Sequence, residues 1–230
     1  MQEELSNVIK KIKLLIETDR NLGVSEYFLV KGDVIDNNAK SMQKATRLNE
    51  LRKRVLECKR CPLYKSRTNL VFGEGDPNAD LMFIGEAPGQ EEDLQGRPFV
   101  GRAGMLLSRI IKAMGLRREE VYIANILKDR PPNNRNPKED EIKACIGYLL
   151  EQIEIIRPRV ICALGSFAAK ELLKEERSIS QIRGKFYNFK DIKLMPTYHP
   201  AYLLRNPQDK RLVWEDMKKI MRELGIKNKR

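Results

Sequence analysis

The sequence lacks the features that mark membrane and secreted proteins. It has no apolar run near the roughly 20 residues that a membrane-spanning helix needs, and its polar, acidic start is unlike a signal peptide. Cysteine is scarce, at 4 of 230 residues. Without a secretion signal we expect reduced thiols, and cysteine pairs of that kind bind metal more often than they form disulfides. We therefore expect a cytoplasmic protein with no membrane contact.

Acidic residues are also few relative to basic ones. The chain carries 44 Lys and Arg against 32 Asp and Glu, which gives a net charge of +12 and an isoelectric point near 9.5. A field of this sign attracts polyanions, so nucleic acid or an acidic surface is the expected partner. On charge alone, a generally solvated basic surface remains an alternative.

The chain does contain a regular alternation of short apolar runs and helical patterns. Its length and hydrophobic content of 41% suit one α/β domain with an appendage. Such alternation predicts a mainly parallel sheet covered by helices on both faces. The predicted strands are 81–84, 121–127, 160–164 and 192–195, and the predicted helices of this part are 103–114, 138–156, 167–173 and 212–224.

The N-terminal part has a different pattern. Apolar positions at helical spacing predict a helix within 1–20. We interpret 21–43, which has glycines and little periodicity, as a linker. A second helix over about 44–57 is assigned to the main domain. The chain is therefore divided into an N-terminal helical extension with its linker, 1–45, and a main domain, 46–230.

Two of the cysteines have the spacing of a metal-binding pair. Cys58 and Cys61 form a C-x-x-C pair, and the absence of a thioredoxin-like pattern after them favours metal over redox chemistry. Cys145, in a helical pattern far downstream, strengthens that interpretation, because thiolates select zinc or iron–sulfur clusters. Cys162 lies within an apolar strand and is expected to be a small core residue.

Polar residues follow the predicted strands at three points. Gly85, Asn125 and His199 each end or follow such a strand, and ligands of parallel sheets gather at the carboxyl ends of the strands. We therefore expect these residues to share one rim. His199 is the only histidine in the chain, and a lone histidine after a strand is otherwise more often structural.

The loops around this rim suggest contacts with a nucleobase. The Gly-Glu-Ala-Pro-Gly loop at 85–89 can offer backbone N–H groups to a phosphate or a ring edge, and a plain turn with a solvated Glu86 is the alternative. Phe99 lies between a proline and glycines, where the ring can stack on a base or tuck into the core. After His199, apolar side chains precede Arg205, an order that suits a loop entering a duplex.

In their order along the chain, these motifs resemble those of the iron–sulfur uracil-DNA glycosylases, family 4 of the uracil-DNA glycosylase superfamily. The resemblance extends over roughly residues 50–225 and leaves the N-terminal extension outside. The motifs that carry it are C-x-x-C-P-L at 58–63, G-E-A-P-G at 85–89, G-R-P-F-V-G at 96–101, R-P-P-x-N-R-x-P at 130–137 and H-P-A-x-L-L-R at 199–205.

The resemblance implies a three-layer α/β/α fold with a four-stranded, mainly parallel sheet. It also implies an enzyme that flips uracil out of single- or double-stranded DNA and hydrolyses its N-glycosidic bond. An abasic site would remain, without strand cleavage or a covalent intermediate. Such an enzyme would work as a monomer at the nucleoid of a prokaryotic cytoplasm. A related branch that traps its substrate covalently has a histidine-containing insertion, which this chain lacks after Gly101.

Functional residues of the family carry over to positions of this chain. By resemblance, Phe99 would stack on uracil and Asn125 would hydrogen-bond its polar edge. His199 would stabilise the negative charge that develops on uracil O2. Glu86 would position the attacking water or stabilise the cationic sugar, with Asn134 as a second candidate for the water. The remaining implied positions are Gly85, Ala87 and Glu92 around the base and Tyr202, Leu203 and Arg205 against the DNA.

The family further implies a [4Fe–4S] cluster with a structural role. Three of its ligand positions match Cys58, Cys61 and Cys145. The fourth differs, because the family has K-C-R-P-P where this chain has Lys-Asp-Arg-Pro-Pro, with Asp129 in place of the cysteine. Asp129 would ligate the fourth iron through oxygen, or the site would hold a [3Fe–4S] cluster or stay empty.

Two other functions remain open at this stage. The chain could be a catalytically weakened protein that binds uracil-containing or abasic DNA, for which Asp129 is the support in the sequence. It could also be a glycosylase of broader specificity toward deaminated bases. Residues 1–45 could contact a replication or repair partner such as a sliding clamp.

Overall fold

The computed structural model describes residues 33–227 and, nearer the N-terminus, five isolated helical residues: Ser6, Ile9, Lys10, Lys13 and Glu17. The helix predicted within 1–20 otherwise lies outside the described residues. The chain divides into two compact units, Met1–Lys40 and Ser41–Arg230. The strands and sites described below belong to the second unit.

The described part of the chain alternates strands and helices. Its strands are β1 (Glu74–Gly75), β2 (Leu81–Gly85), β3 (Tyr122–Asn125), β4 (Val160–Leu164), β5 (Tyr187–Phe189) and β6 (Ile192–Thr197). Its α-helices are α1 (Asp33–Leu56), α2 (Gln90–Gln95), α3 (Arg102–Ala113), α4 (Glu139–Ile156), α5 (Gly165–Leu173), α6 (Ile179–Ile182), α7 (Pro200–Arg205) and α8 (Lys210–Leu224). Among these helices, none has the length and apolar character needed to cross a membrane.

The strands form one mixed sheet in the order β1-β3-β2-β4-β6-β5. The four central strands, β3, β2, β4 and β6, are parallel, and they are the strands that the sequence predicted. Antiparallel edge strands β1 and β5 extend the sheet on either side. The sequence did not predict these edges because they are 2 and 3 residues long and partly exposed, so neither contains a buried apolar run.

Both faces of the sheet are covered, which gives the expected three-layer α/β/α arrangement. Along β2, Met82 and Ile84 point into one core and Leu81 and Phe83 into the other. Helices α1, α4 and α5 pack on the first face and α3 and α8 on the second. This alternation follows from the two-residue period of a strand. Cys162 on β4 is fully buried in the second core, which confirms it as a small core residue.

Helix α1 corrects the interpretation of 21–43 as a linker. The helix begins at Asp33, so the last part of that segment is helical. Neither glycine nor proline interrupts the chain between Gly32 and the end of α1, and ordinary residues propagate a helix once it has begun. The polar Asp36-Asn37-Asn38 run lies inside the first turns of this helix.

Candidate active site

A cavity of about 520 Å³ opens at the carboxyl ends of the central strands. Its walls come from the loops that follow β2, β3 and β6, because parallel strands bring their carboxyl ends to the same edge of a sheet. Of the residues expected to share one rim, Asn125 and His199 line this cavity, and Gly85 pairs with Asn125 beside it. The lining includes Glu86, Ala87, Glu92, Phe99, Asn125, Asn134, His199, Tyr202 and Arg205.

The pairing of β2 with β3 places the side-chain amide of Asn125 beside the space left by Gly85. Gly85 at the end of β2 stands opposite Asn125 at the end of β3 in the parallel register. A Cβ atom on residue 85 would lie 2.4 Å from Asn125 Oδ1 and 2.6 Å from Cζ of Phe99. Glycine at this position therefore keeps the room between the amide and the aromatic ring.

Asn125 has an unsatisfied side-chain oxygen. The residue is 2% exposed, and within the described part of the chain its Oδ1 is the buried side-chain polar atom that has no hydrogen-bond partner. Buried polar atoms are nearly always paired, since leaving one unpaired costs about 1–3 kcal/mol. A free acceptor at the wall of a cavity indicates a site built to receive a donor from a ligand.

The Phe99 ring forms another wall. The residue is 6% exposed, and its φ of 51° is uncommon for a residue with a side chain. Gly104 permits this bend, because a Cβ atom there would lie 2.0 Å from the Phe99 carbonyl carbon. The ring packs against the second core and also lines the cavity. The ring is therefore partly in the core, as one sequence interpretation expected, and is also placed where it could face a base, as the other expected.

His199 presents a neutral imidazole to the cavity, with its ring centre 5.6 Å from that of Phe99. Its Nδ1 accepts a 3.1 Å hydrogen bond from the backbone N–H of Ala201 and so caps α7. Burial lowers the pKa of His199 to about 4, which leaves the ring neutral at physiological pH. A neutral ring whose Nδ1 accepts must carry its proton on Nε2. His199 can therefore donate to a ligand.

A buried network beneath His199 was not predicted from the sequence. Thr197 Oγ1 at the end of β6 donates to Asp216 on α8 at 2.6 Å, and Nε of Arg183 donates to the same carboxylate at 3.1 Å. The Arg183 guanidinium also lies 5.5 Å from the centre of the Tyr198 ring. These contacts hold the strand end that carries His199. They join distant parts of the chain outside every motif, so no local pattern signals them.

The two glutamates of the site have different surroundings. Glu86 lines the cavity, and burial raises the pKa of its carboxyl group, which makes its carboxylate a better proton acceptor. Glu92 accepts three backbone hydrogen bonds, from Gly89 at 3.1 Å and from Val100 and Gly101 at 2.9 Å each. Glu92 therefore ties the loop after β2 to the loop before α3, in addition to lining the cavity.

Asn134 reaches the cavity from a short 3-10 helix, Pro132–Asn134. Its backbone has a φ of 53°, and its Oδ1 accepts a 2.8 Å hydrogen bond from Nε of Arg130. Because that oxygen is already engaged, Asn134 is a weaker candidate than Glu86 for accepting a hydrogen bond from water.

The residues predicted to contact DNA divide between the cavity and the core. Tyr202 and Arg205 line the cavity, and Tyr202 stacks on Tyr198 at 4.7 Å and donates its hydroxyl proton to Asp209 at 2.7 Å. Leu203 is 1% exposed in the second core and does not line the cavity with its neighbours, and its contact with DNA stays a prediction. Successive helical residues point about 100° apart, which turns Leu203 inward while its neighbours stay partly exposed.

A second, smaller cavity gathers the cysteines that were expected to bind metal. Cys58, Cys61 and Cys145 line it together with Asp129. The Sγ of Cys145 accepts a 3.3 Å hydrogen bond from the backbone N–H of Lys128. Burial raises the pKa of the Cys145 thiol to about 12 and also raises the pKa of Cys61. At neutral pH these thiols hold their protons, and a metal that binds them displaces the protons to solvent.

The donors around this cavity fit a thiolate-bound cluster. Sulfur ligands of this kind hold iron–sulfur clusters or zinc. Within residues 33–227, no three His, Cys, Asp or Glu side chains are placed to hold a single metal ion, whereas a cluster binds each ligand through a different iron. Asp129 is distinct from the thiols, because both of its carboxylate oxygens accept hydrogen bonds from Nη1 of Arg67, at 3.0 and 3.2 Å.

An amide, an aromatic ring and a neutral histidine gathered at the carboxyl edge of a parallel α/β sheet define a site for a flat, polar-edged ligand such as a nucleobase. The chain belongs to the uracil DNA glycosylase superfamily, whose family model matches residues 72–218. Relatives of the type-4 branch, the one that the motifs resemble, cover most of the chain.

Three of these relatives are named type-4 uracil-DNA glycosylases. The protein of Sulfurisphaera tokodaii is 50% identical over 192 residues, which are 80% of this chain and 87% of that protein. The protein of Archaeoglobus fulgidus is 45% identical over 78% of this chain and 94% of its own length. That of Thermotoga maritima is 50% identical over 72% of this chain and 88% of its own length. The resemblance to the type-4 branch is thereby confirmed.

Proposed function

We propose that this protein is a monofunctional uracil-DNA glycosylase, which hydrolyses the N-glycosidic bond of uracil in DNA and leaves an abasic site. The observation that carries this function is the buried, unpartnered Oδ1 of Asn125 at the wall of a cavity that Phe99 and His199 complete. A base must leave the stacked duplex to enter such a cavity.

Asn125 and Phe99 select the base. Asn125 Oδ1 accepts the N3–H of uracil while its Nδ2 donates to O4. Cytosine presents an acceptor at N3 and an amino group at C4, so both hydrogen bonds are lost and the buried amide stays unpaired. Sites built in this way reject the wrong partner by factors of roughly 10⁴. The Phe99 ring supplies a stacking face, worth about 1–3 kcal/mol per base.

His199 acts on the departing base. As the bond between N1 of uracil and C1′ breaks, its electron pair moves onto the base and negative charge builds on O2. The Nε2–H of the neutral ring donates to this oxygen, a contribution of about 2.7–4 kcal/mol for a single donor of this kind. The hydrogen bond from Ala201 to Nδ1 holds the ring in this tautomer.

Glu86 acts on the water. The water oxygen bonds to C1′ as uracil leaves, and the Glu86 carboxylate takes the proton that the water gives up. Its negative charge also favours the cationic sugar that forms as the bond breaks. The uracil anion then takes a proton from solvent, so that DNA and water yield abasic DNA and uracil. Asn134, whose Oδ1 is engaged by Arg130, completes the wall beside this water.

Tyr202 and Arg205 hold the DNA at the mouth of the cavity. The guanidinium of Arg205 pairs with a backbone phosphate, and the net charge of +12 adds a general attraction to DNA. Because phosphate contacts release bound cations, binding should weaken steeply as salt increases.

Cys58, Cys61 and Cys145 would hold an iron–sulfur cluster of the [4Fe–4S] kind. When bound, the cluster would supply a structural cross-link and would take no part in glycosidic hydrolysis. Its ligands join the turn after α1 to Cys145 on α4. Lys128 connects Cys145 to β3, because its backbone N–H donates to Cys145 Sγ and its Nζ donates to the Asn125 carbonyl. We therefore expect loss of the cluster to reduce stability before it alters the chemistry.

The test is release of free uracil from single- and double-stranded oligonucleotides that each contain one uracil, with alkaline cleavage to reveal abasic sites. We expect release from both, and none from cytosine. His199→Ala should lower the single-turnover rate roughly 100- to 1,000-fold. Lys143→Ala, at an exposed lysine of α4, is the control and should match the wild type. Wild-type turnover by His199→Ala would refute the role of the histidine.

The same assay distinguishes the alternatives. Tight binding of uracil-containing or abasic DNA without base release would identify a DNA-binding protein that has lost catalysis. Release of hypoxanthine or xanthine at rates similar to uracil would identify a glycosylase of broader specificity. The amide geometry of Asn125 favours uracil, because its acceptor and donor match the N3–H and O4 of that base.

A further inference from the structure

Asp129, which lines the cysteine cavity, forms a buried ion pair with Arg67. Nη1 of Arg67 donates to both carboxylate oxygens of Asp129, at 3.0 and 3.2 Å. The two side chains are only 16% and 8% exposed, so water competes little with the pair, and separating it would leave a buried charge without its partner. The carboxylate of Asp129 is therefore held by the guanidinium of Arg67.

Arg67 is itself held in place from other directions. Its Nη2 donates to the backbone carbonyl of Leu56, the last residue of α1, at 2.9 Å. The backbone N–H of the following residue, Thr68, donates to the buried carboxylate of Asp93 at 2.9 Å. A swing of the guanidinium away from Asp129 would also remove its hydrogen bond to the end of α1. The ion pair is thus tied by neighbouring hydrogen bonds to the end of α1 and to Asp93 on α2.

The cavity has too few free ligands to bind every iron of a four-iron cluster. Such clusters are held by four thiolates, and the thiols that line the cavity are Cys58, Cys61 and Cys145. The remaining cysteine, Cys162, is fully buried in the core on the other side of the sheet. Among the described residues, Asp129 is the one other His, Cys, Asp or Glu side chain in the lining, and each of its oxygens accepts a hydrogen bond from Arg67.

We infer that Arg67 withholds Asp129 from the ligand set, so that this cavity is a three-thiol site with one iron position open to a small exogenous ligand, either water or an added thiol. The inference rests on the cluster assigned under the proposed function. An iron without a protein ligand is the first to leave on oxidation. In that step [4Fe–4S]²⁺ gives one electron to ferricyanide and releases one Fe²⁺, which leaves [3Fe–4S]⁺.

The first experiment compares the full-length wild type with Asp129→Cys and Asp129→Asn, all purified without oxygen. Iron and sulfide per chain are measured, and electron paramagnetic resonance spectra are recorded before and after one equivalent of ferricyanide. We expect the wild type and Asp129→Asn to lose one iron in four and show the three-iron signal. Asp129→Cys should keep all four irons, because its thiolate takes the open position.

A second variant tests the part played by Arg67. Arg67→Met removes the guanidinium and frees the carboxylate of Asp129 to bind iron, so loss of iron to ferricyanide should slow relative to the wild type. The double variant Arg67→Met/Asp129→Asn lacks both groups and should lose iron as fast as the wild type. Circular dichroism of each protein shows that the comparison is made on folded chains.

An added small thiol gives an independent readout. It should shift the absorption and resonance spectra of the reduced wild type and Asp129→Asn, and leave those of Asp129→Cys unchanged. The inference is overturned if the wild type keeps four irons while Asp129→Asn loses one, because the carboxylate would then be a ligand. It is also overturned if Asp129→Cys binds no iron. Uracil release by the same samples would show that the glycosylase function survives either result.

Discussion

Nζ of Lys128 lies 2.8 Å from the backbone carbonyl oxygen of Asn125. The lysine is 1% exposed and also donates to Gln152 Oε1, at 2.7 Å. The amide of Gln152 donates in turn to the Phe72 carbonyl at 3.0 Å and to the Tyr122 hydroxyl at 3.2 Å. This buried network holds the end of β3 and with it the direction of the Asn125 side chain.

Lys128→Met should weaken both stability and base recognition. Methionine keeps most of the volume but removes the hydrogen bonds to Asn125 and Gln152, so we expect the free energy of unfolding to fall by about 1–3 kcal/mol. Single-turnover uracil release should slow roughly tenfold or more as the amide loses its position. Thermal unfolding and the rate assay measure these effects, with Lys143→Met as the exposed control. An unchanged rate in the folded variant would show that Asn125 is held without the lysine.

Gly85→Ala should fill the space reserved for the base. The added Cβ atom would lie 2.4 Å from Asn125 Oδ1, so the amide or the Phe99 ring must move, and we expect a loss of roughly 100-fold in uracil release. Gly147→Ala is the matched control, because a Cβ atom at that helical position meets nothing within 4 Å. We expect it to leave the rate unchanged and, as a helix-interior change, to raise stability slightly. Similar rates for both variants would refute the role of Gly85.

As pH falls, the loss of activity should follow the protonation of Glu86 rather than that of His199. Burial lowers the pKa of His199 to about 4, so its ring stays neutral well below neutral pH. Burial raises the pKa of Glu86 above its ordinary value of 4.5, so this carboxylate is the first of the two groups to lose its catalytic form as pH falls. We expect single-turnover uracil release to decline with an apparent pKa above 4.5, and Glu86→Gln to be slow and flat over that range. If Glu86→Gln showed the same decline of activity at low pH, a group other than Glu86 would be responsible for it.

His199 also links folding stability to pH. Its pKa is about 4 in the folded chain against an ordinary 6.5, so between these values the unfolded chain binds a proton that the folded chain does not. Stability is therefore lost as pH falls from about 6.5 to about 4, on the order of 2 kcal/mol between pH 7 and pH 5. Urea unfolding at the two pH values measures this loss. His199→Gln should lack this part of the pH dependence, and an equal dependence in both proteins would contradict it.

The cysteines differ in their expected effect on iron content. Cys145→Ala removes a thiol from the smaller cavity, so the purified protein should contain little iron and unfold at a lower temperature. Cys162→Ala removes a thiol from the opposite core and should retain the wild-type iron content. Iron per chain and thermal unfolding test both variants. Retention of iron by Cys145→Ala would exclude that residue as a ligand.

Much of the fold and of the candidate site follows from local sequence patterns. Four apolar runs predicted the parallel centre of the sheet, because strands buried on both faces need continuous apolar residues. Once that sheet was predicted, Gly85, Asn125 and His199 had to lie near one another, since the ends of parallel strands meet at one edge. The edge strands and the start of α1 were not predicted, because short or polar segments carry little periodic signal.

The sequence by itself determined the order of the strands along the chain, the motif residues at the rim and the family to which they belong. The tertiary structure alone decided which way each side chain faces and what holds it there. It turned Leu203 into the core, placed Lys128 behind Asn125, and paired Asp129 with Arg67. The physical reason is that local patterns depend on neighbours along the chain. Burial, hydrogen bonding and ion pairing depend on residues that only folding brings together.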